Sequence, residues 1–573
     1  MNNHTKMYVT YTRIYGWSDY GGESSYQPGY RLENMMWMTL LVYDYIIPGG
    51  KEYGCWYPEI DQDTSSPFIF VKNDTEYDYP HILPTSIPMD KNFANKYRYV
   101  CLDENDSTIP FLQSFEEKII DIIEKLIHLL SLSDIEKAEE FQKEFLFYWN
   151  QAAEDTGICK LYIGKEREFQ KLNAYKSNDG AVRFVANGIC LNDANKKVNG
   201  SKKWRHLPEL PVFYIPITDK RRVLPPTRDK KWTAENIVML IYGKQFNRIS
   251  HESYVKLGLE KIKTKYVGLV FEIEINGNYI DFAAIIEFRS TKNDTLLNKL
   301  KQEIVEVVPI VSKRTDYYYL CKQIGNEITL LDKKVLLIGA GSLGSYIARE
   351  LVKTGVRSLT VYDKELLEEE NLLRHTIGDL WVDCSKVFGL KCELERIHPE
   401  IHINAVEKNI DKNLLVAEMK KADLILFAVG SSTVQWEMNK ILKEQKCNVK
   451  VIYTWLEAGG ENSHILSIDY NKQGCFQCLF TDEQGCLINN KANNVSEIDV
   501  EAYKIRNGCG GTRVAYGNAV LLRTTAVLLD VIRKNFERAE STNNLINITP
   551  TDVIDVKDTF VERKCRCCGD EDI

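Results

Sequence analysis

Short apolar runs broken by Gly, Pro and Asp fill the first 155 residues, and runs such as MMWMTLLVYDYII and SPFIFVKND predict strands. From about Ser114 to Leu132 the rhythm changes, with Phe115, Ile119, Ile122, Ile123, Leu126 and Leu129 recurring at near-helical spacing. A second helix is predicted over EKAEEFQKEFLFYWNQAAE. Between about 156 and 312, strand-like runs (LPVFYIPI, KYVGLVFEIEI, YIDFAAIIEF) alternate with polar turns. This stretch reads as an α/β linking domain and holds no constellation assignable to chemistry. After RTDYYYLCKQIGNEITLLDKK comes a buried strand VLLIGA, a glycine turn, a helix SYIARELVKTG and a second strand LTVYD. That βαβ order implies a parallel sheet with right-handed crossovers.

The fold class expected is therefore multidomain, α+β followed by α/β: residues 1–155, 156–312 and a Rossmann-like 313–573. The composition, 44% hydrophobic and 27% charged, is ordinary for a globular chain. A net charge of −8 supplies no electrostatic reason to expect nucleic acid or a membrane as partner. The start MNNHTKMYVT lacks the pattern of a secretory signal, and Met35 to Ile47 is too short to span a bilayer. Fifteen cysteines, an odd number, fit reduced thiols in cytoplasm better than a disulfide framework. Some of them should then be catalytic or metal-bound.

Gly339, Gly341 and Gly344 form G-x-G-x-x-G between a strand and a helix. The first permits a tight turn, the second lets backbone approach phosphate, and the third allows close helix–strand packing. N–H groups at the helix start then face an anion. Asp363 ends the next strand, where a carboxylate can take ribose hydroxyls. Taken alone, this fingerprint suits NAD as well as ATP. The stretch that follows gathers Glu365, Asn371 and Arg374, with Lys386 soon after. Cations and an amide beside a phosphate turn suit charge developing on a triphosphate during attack at the α-phosphorus, a need that a dehydrogenase has less of.

Two C-x-x-C pairs, Cys475/Cys478 and Cys565/Cys568, can surround Zn²⁺ tetrahedrally as a closed structural site, although Cys567 inside the second pair leaves the ligand open by one residue. Cys509 is different: glycines flank it and an apolar helix follows, so its sulfur is open to a bulky carbonyl, with Arg513 nearby to favour thiolate. Cys486, in a polar loop, competes with it.

These motifs together resemble the ThiF/MoeB/E1 superfamily, which adenylates the C-terminal carboxylate of ubiquitin-like proteins. Its pattern of GxGxxG, D-x-D/E, N-x-x-R-(Q/H) and a lysine before a helix falls on Gly339–Gly344, Asp363–Glu365, Asn371–Arg374–His375 and Lys386. The resemblance covers about the last 260 residues. It implies ATP and Mg²⁺ as cofactors, a zinc site, Cys509 as the acyl-carrying thiol, and a homodimer. Two positions depart from it. Gly430 and Ser431 stand where an Asp-Asn that helps hold magnesium is expected, Asp423 being too early, and Lys322 stands in place of an arginine.

The N-terminal order of strand, Tyr-Pro-His, loop, short strand, Cys-Leu, acidic loop and amphipathic helix is similar to E2 ubiquitin-conjugating enzymes. That resemblance makes Cys101 the E2-like nucleophile. The usual His-Pro-Asn is absent, and His81 is the remaining oxyanion candidate. An E2-like module, a linker and an E1-like module in one chain resemble the E2–E1 fusion proteins of CBASS anti-phage operons. What this implies is a relay. ATP adenylates a polypeptide carboxylate, expected to be the C-terminus of a cGAS-like nucleotidyltransferase; the acyl group passes to Cys509, then to Cys101, then to a target lysine. The alternative is a ThiF-like adenylyltransferase serving sulfur transfer or peptide modification. An NAD(P) oxidoreductase and a non-catalytic scaffold are further rivals.

Overall fold

The computed structural model describes residues 7–13, 35–42, 51–58, 68–72, 79–84, 97–102, 121, 124–126, 128–153, 157–192, 204–219, 223–227, 230–243, 248–326, 328–493, 501–506, 512–537, 543–557 and 560–569. The chain divides into two compact units, one made of residues 1–154, 218–232 and 273–280, the other of 155–217, 233–272 and 281–573.

In the first unit, six strands form one antiparallel sheet in the order Met7–Arg13, Met35–Val42, Lys51–Pro58, Phe68–Lys72, Tyr97–Val100, Ile82–Pro84. The expected strands within MMWMTLLV and FIFVK are among them. Where one helix was expected after residue 133, two are found, Asp134–Lys143 and Phe145–Ala152, meeting at Glu144. A reciprocal capping box between Ser133 and Glu136 starts the first, satisfying donors that a helix start leaves orphaned. The second buries Phe145, Tyr148 and Trp149, and Trp149 meets Trp232 edge-on.

The second unit contains two large sheets. Residues of the linking region build a mixed, nine-stranded one in the order Ile304–Ile310, Asn278–Phe288, Tyr266–Ile275, Val212–Pro216, Gln170–Ser177, Val182–Ala186, Cys159–Tyr162, Ser312–Arg314, with Trp204–His206 beside Gln170–Ser177. The other is eight-stranded, in the order His402–Val406, Ser358–Tyr362, Lys334–Ile338, Leu424–Phe427, Lys450–Leu456, Ser463–Ile468, Asn544–Ile548, Val553–Lys557. Its first five strands are parallel and the rest antiparallel. Leu337, Ile347, Leu351, Val361 and Leu426 are wholly buried against one another's layer. Each such side chain contributes about 1.5–3 kcal/mol by leaving water.

The two sheets are tied by polar groups. Arg314 donates to Asp316 at 2.7 Å, to Asp281 at 3.1 Å and to the Gly164 carbonyl at 2.6 Å, all in a buried setting. Asp316 then caps the helix Tyr317–Gln323, whose first N–H donates to Glu400 at 2.9 Å. From the linking region, Asn192 Nδ2 reaches the carbonyls of Glu395, His398 and Ile401 at 2.8–3.1 Å. Of these, the Glu395 carbonyl is one of the acceptors left orphaned where the helix Lys386–Glu395 ends. Among the described residues, no helix is long and apolar enough to cross a membrane.

Candidate functional site

Strand order reverses at Lys334–Ile338, the first strand of the parallel set: the next strand in sequence lies on one side and Leu424–Phe427 on the other. A crevice forms beyond the carboxyl ends of strands at such a point. The glycine turn lies there. Gly339 has φ +100, and a Cβ on it would come within 2.6 Å of the Ala428 carbonyl. A Cβ on Gly344 would lie 2.0 Å from the Gly339 carbonyl, so the helix Ser342–Thr354 packs as close as backbone allows. A Cβ on Gly341 would meet nothing among the described residues within 4 Å, which leaves its side of the turn open to them. No side chain caps that helix, so its first N–H groups are available to an anion.

Asp363 braces the turn: one carboxylate oxygen accepts from Ala340 N at 2.7 Å, the other from Glu365 N at 2.8 Å. Burial pushes its carboxyl up, against the pull of those two N–H groups. Lys386, at the start of its helix and 6% exposed, lies 2.6 Å from the Glu365 carboxylate. Asn371 is buried, and its side-chain oxygen accepts from Glu368 N at 3.3 Å, so it shapes the turn Glu369–Arg374. The Arg374 guanidinium is 5.7 Å from the Tyr516 ring, and its buried Nε has no hydrogen-bond partner among the described residues. Tyr516 lines a pocket of about 290 Å³ together with Gly341, Ser342 and Gly430.

Three contributors to this crevice escape sequence reading. His375 donates from Nε2 to the Ala340 carbonyl at 2.7 Å and accepts from Ile377 N through Nδ1. Burial, aided by the charges of Lys386 and Arg374, takes its pKa down to about 4, so it is a neutral strut. The motif N-x-x-R-H contained this residue, but nothing in its spacing says that it supports the turn. Gln435 and Thr454 line the pocket beside Gly430. Gln435 is anchored through Nε2 to the Val429 carbonyl, and its Oε1, like Thr454 Oγ1, is buried with no hydrogen-bond partner among the described residues. Asp423 instead joins strand starts, accepting from Lys334 N at 2.8 Å.

The four cysteines of the two C-x-x-C pairs meet. Cys475, Cys478, Cys565 and Cys568 are all buried, with sulfurs within 4.8 Å of one another; the 475–565 and 478–568 pairs stand 3.8 and 3.3 Å apart. Cys567 lies outside that set and receives a hydrogen bond from Asn439 at 3.3 Å. Cys486 is exposed, in a turn held by Asp482. Cys509 lies outside the described residues.

Cys101 belongs to the first unit, directly after the strand Tyr97–Val100, and is part-exposed. Its N–H donates to the His81 carbonyl at 2.9 Å, and both residues line a cavity of about 770 Å³.

Comparison with known proteins adds to this geometry. The model of the ThiF family matches residues 322–561. The ATP-dependent ubiquitin transferase-like protein Cap2 of Pseudomonas aeruginosa is 26% identical over 31% of this chain and 32% of its own length. Its namesake from Enterobacter hormaechei is 31% identical over 28% of this chain and 27% of its own. The molybdopterin-synthase adenylyltransferase of Escherichia coli is 33% identical over 19% of this chain and 45% of its own. The chain thus spans about a third of the length of the curated Cap2 relatives it matches. A solved structure, E. coli MccB with ATP, superposes at a TM-score of 0.33 and 18% identity over 42% of this chain and 68% of that one, too loosely to add weight.

Proposed function

The C-terminal part of this chain, residues 322–561, belongs to the ThiF family, and from that premise we propose that the crevice adenylates a polypeptide carboxylate with ATP. The observation that carries this reading is the convergence at one turn of Gly341's open side, the Glu365–Lys386 pair and Arg374 beside Tyr516. Phosphates sit on the N–H groups of Ser342–Leu343, with Asp363 toward the ribose. Lys386 and Arg374 stabilise charge as the carboxylate oxygen bonds to the α-phosphorus and pyrophosphate leaves. Magnesium, when bound, neutralises triphosphate charge. With glycine at 430, the pocket oxygens offered on that side are those of Gln435 and Thr454.

The acyl group then moves from AMP to Cys509, from Cys509 to Cys101, and from Cys101 to a lysine amine, as in ubiquitin-like conjugation. Thioester exchange between thiols changes bond energy little, so the relay needs only access. The names of the relatives, ATP-dependent ubiquitin transferase-like proteins, support conjugation; the further proposal is a role in anti-phage defence, with a cGAS-like nucleotidyltransferase C-terminus as the activated carboxylate. We assign zinc to the four-cysteine cluster. A ZnS₄ tetrahedron with Zn–S of about 2.3 Å has S···S edges of about 3.8 Å, close to the separations of 3.3 and 3.8 Å.

Mass spectrometry of the protein incubated with ATP and the products of neighbouring genes tests the relay: acyl adducts are expected on Cys101 and Cys509. In Cys101→Ala, ATP–pyrophosphate exchange should persist while conjugates vanish; loss of exchange there would sink the division of labour. The alternative, adenylation for sulfur transfer or peptide modification, draws on the E. coli adenylyltransferase likeness. An acyl-thioester trapped on Cys101 would exclude it.

A further inference from the structure

His81 and Cys101 are about twenty positions apart in sequence but face each other across one antiparallel ladder, just beyond the pair Ile82–Val100. His81 has φ +64, a left-handed conformation that side-chain-bearing residues rarely adopt. Two helices hold it there. Its N–H donates to the Tyr148 hydroxyl at 2.7 Å, and its Nε2 lies 3.4 Å from the Glu140 carboxylate. Partial burial works against ionisation of Glu140, but Lys143 and His81 outweigh it and hold the carboxyl below its ordinary range. An anionic Glu140 accepts from Nε2–H, which leaves the lone pair on Nδ1. Glu140, Tyr148, His81 and Cys101 line the same cavity, where Asp121, Glu124 and Glu144 add to an acidic wall that Lys125 and Lys143 only partly offset.

We propose that His81, braced by Glu140, is the general base for acyl transfer from Cys101, and that the cavity's acidic wall receives a lysine-type amine. This rests on the reading of Cys101 as an acyl carrier. The amine attacks in its neutral form: the C–N bond forms, the C–S bond breaks, and its electron pair leaves on Sγ. The proton shed by nitrogen passes to His81 Nδ1 and from there to the thiolate.

The test uses the full chain, its Cys101 charged by exchange with a synthetic N-acetylglycyl thioester and followed on the Cys101 peptide by mass spectrometry. Two discharging probes are compared, free lysine and hydroxylamine, whose weakly basic nitrogen sheds its proton without help. His81→Asn is the principal variant, because asparagine tolerates the left-handed backbone; Glu140→Gln is the second. Lysine discharge is expected to fall by about 10²-fold or more in His81→Asn, and less in Glu140→Gln, with hydroxylamine discharge nearly unchanged. Unchanged lysine discharge in both variants, or equal loss with both probes, overturns the base assignment while charging of Cys101 stands. Failure of Cys101 to charge in the native chain overturns the carrier reading itself.

Discussion

Lys386 Nζ lies 2.6 Å from Glu365 Oε2, and Lys386 N also donates to the Glu365 carbonyl at 3.1 Å. The ammonium is buried while the carboxylate is largely exposed. The pair therefore holds a sheltered cation on a surface anchor, next to the Asp363 carboxylate that braces the glycine turn. Lys386→Met should lower ATP–pyrophosphate exchange by on the order of 10²–10³-fold, the loss typical of a donor that stabilises developing charge. Glu365→Gln keeps the cation and should cost far less. Equal losses would mean that the carboxylate, not the lysine, is the essential partner.

The glycine turn separates folding from binding. Gly344→Ala forces a methyl against the Gly339 carbonyl and should destabilise the second unit by on the order of 3 kcal/mol. The methyl of Gly341→Ala meets nothing among the described residues within 4 Å, so its unfolding midpoint should match the native chain while affinity for a non-hydrolysable ATP analogue drops. Calorimetric binding and denaturant unfolding of both variants decide it. Native affinity in Gly341→Ala would show that phosphate does not approach that face.

Metal analysis should find one zinc per chain, lost in Cys478→Ser and retained in Cys567→Ser, since Cys567 stands outside the buried four. Chelation should lower the thermal midpoint of the native chain, because a closed thiolate site contributes its binding energy to the fold. Retention of metal in Cys478→Ser would refute the ligand set.

Burial pushes the Glu400 carboxyl up to about 7, although Tyr317 N and Arg357 favour its anion. Between about pH 4.5 and 7 the folded chain holds a proton there that the unfolded chain has released, so this group's contribution to stability falls as pH rises through that window. Glu400→Gln cannot titrate. Relative to the native chain it should gain up to about 3 kcal/mol between pH 4.5 and 7.5. Denaturant midpoints at the two pH values measure this, and a gap that does not move with pH would discard it.

The parallel βαβ unit and the glycine roles were legible because each depends on spacing within one short stretch, and the four-cysteine set because each of its two pairs, Cys475/Cys478 and Cys565/Cys568, is such a spacing. That Asp423 comes too early to replace the missing aspartate was readable for the same reason. Other features depend on strands that meet only in the fold. His81 reaches Cys101 through the Ile82–Val100 register, which the intervening residues 82–100 conceal. Gln435 and Thr454 flank Gly430 from a helix and a neighbouring strand, so the missing aspartate was visible while the oxygens beside it were not. Asn371 showed the opposite limit: its motif suggested a ligand, whereas its oxygen is engaged in building the turn. The linking region offered no motif because its ties to the Rossmann-like sheet are polar contacts between residues far apart in sequence, such as Asn192 with Glu395.

One of those ties has a mechanical meaning. Asn192 grips the far end of the helix whose opening residue is Lys386. That helix is a stiff rod about 15 Å long at 1.5 Å per residue, held by the linking region at one tip and carrying, at the other, the lysine proposed to face the phosphates. In the proposed function, a shift of the linking sheet is therefore expected to be felt at Lys386 before any other residue of that helix's first turn.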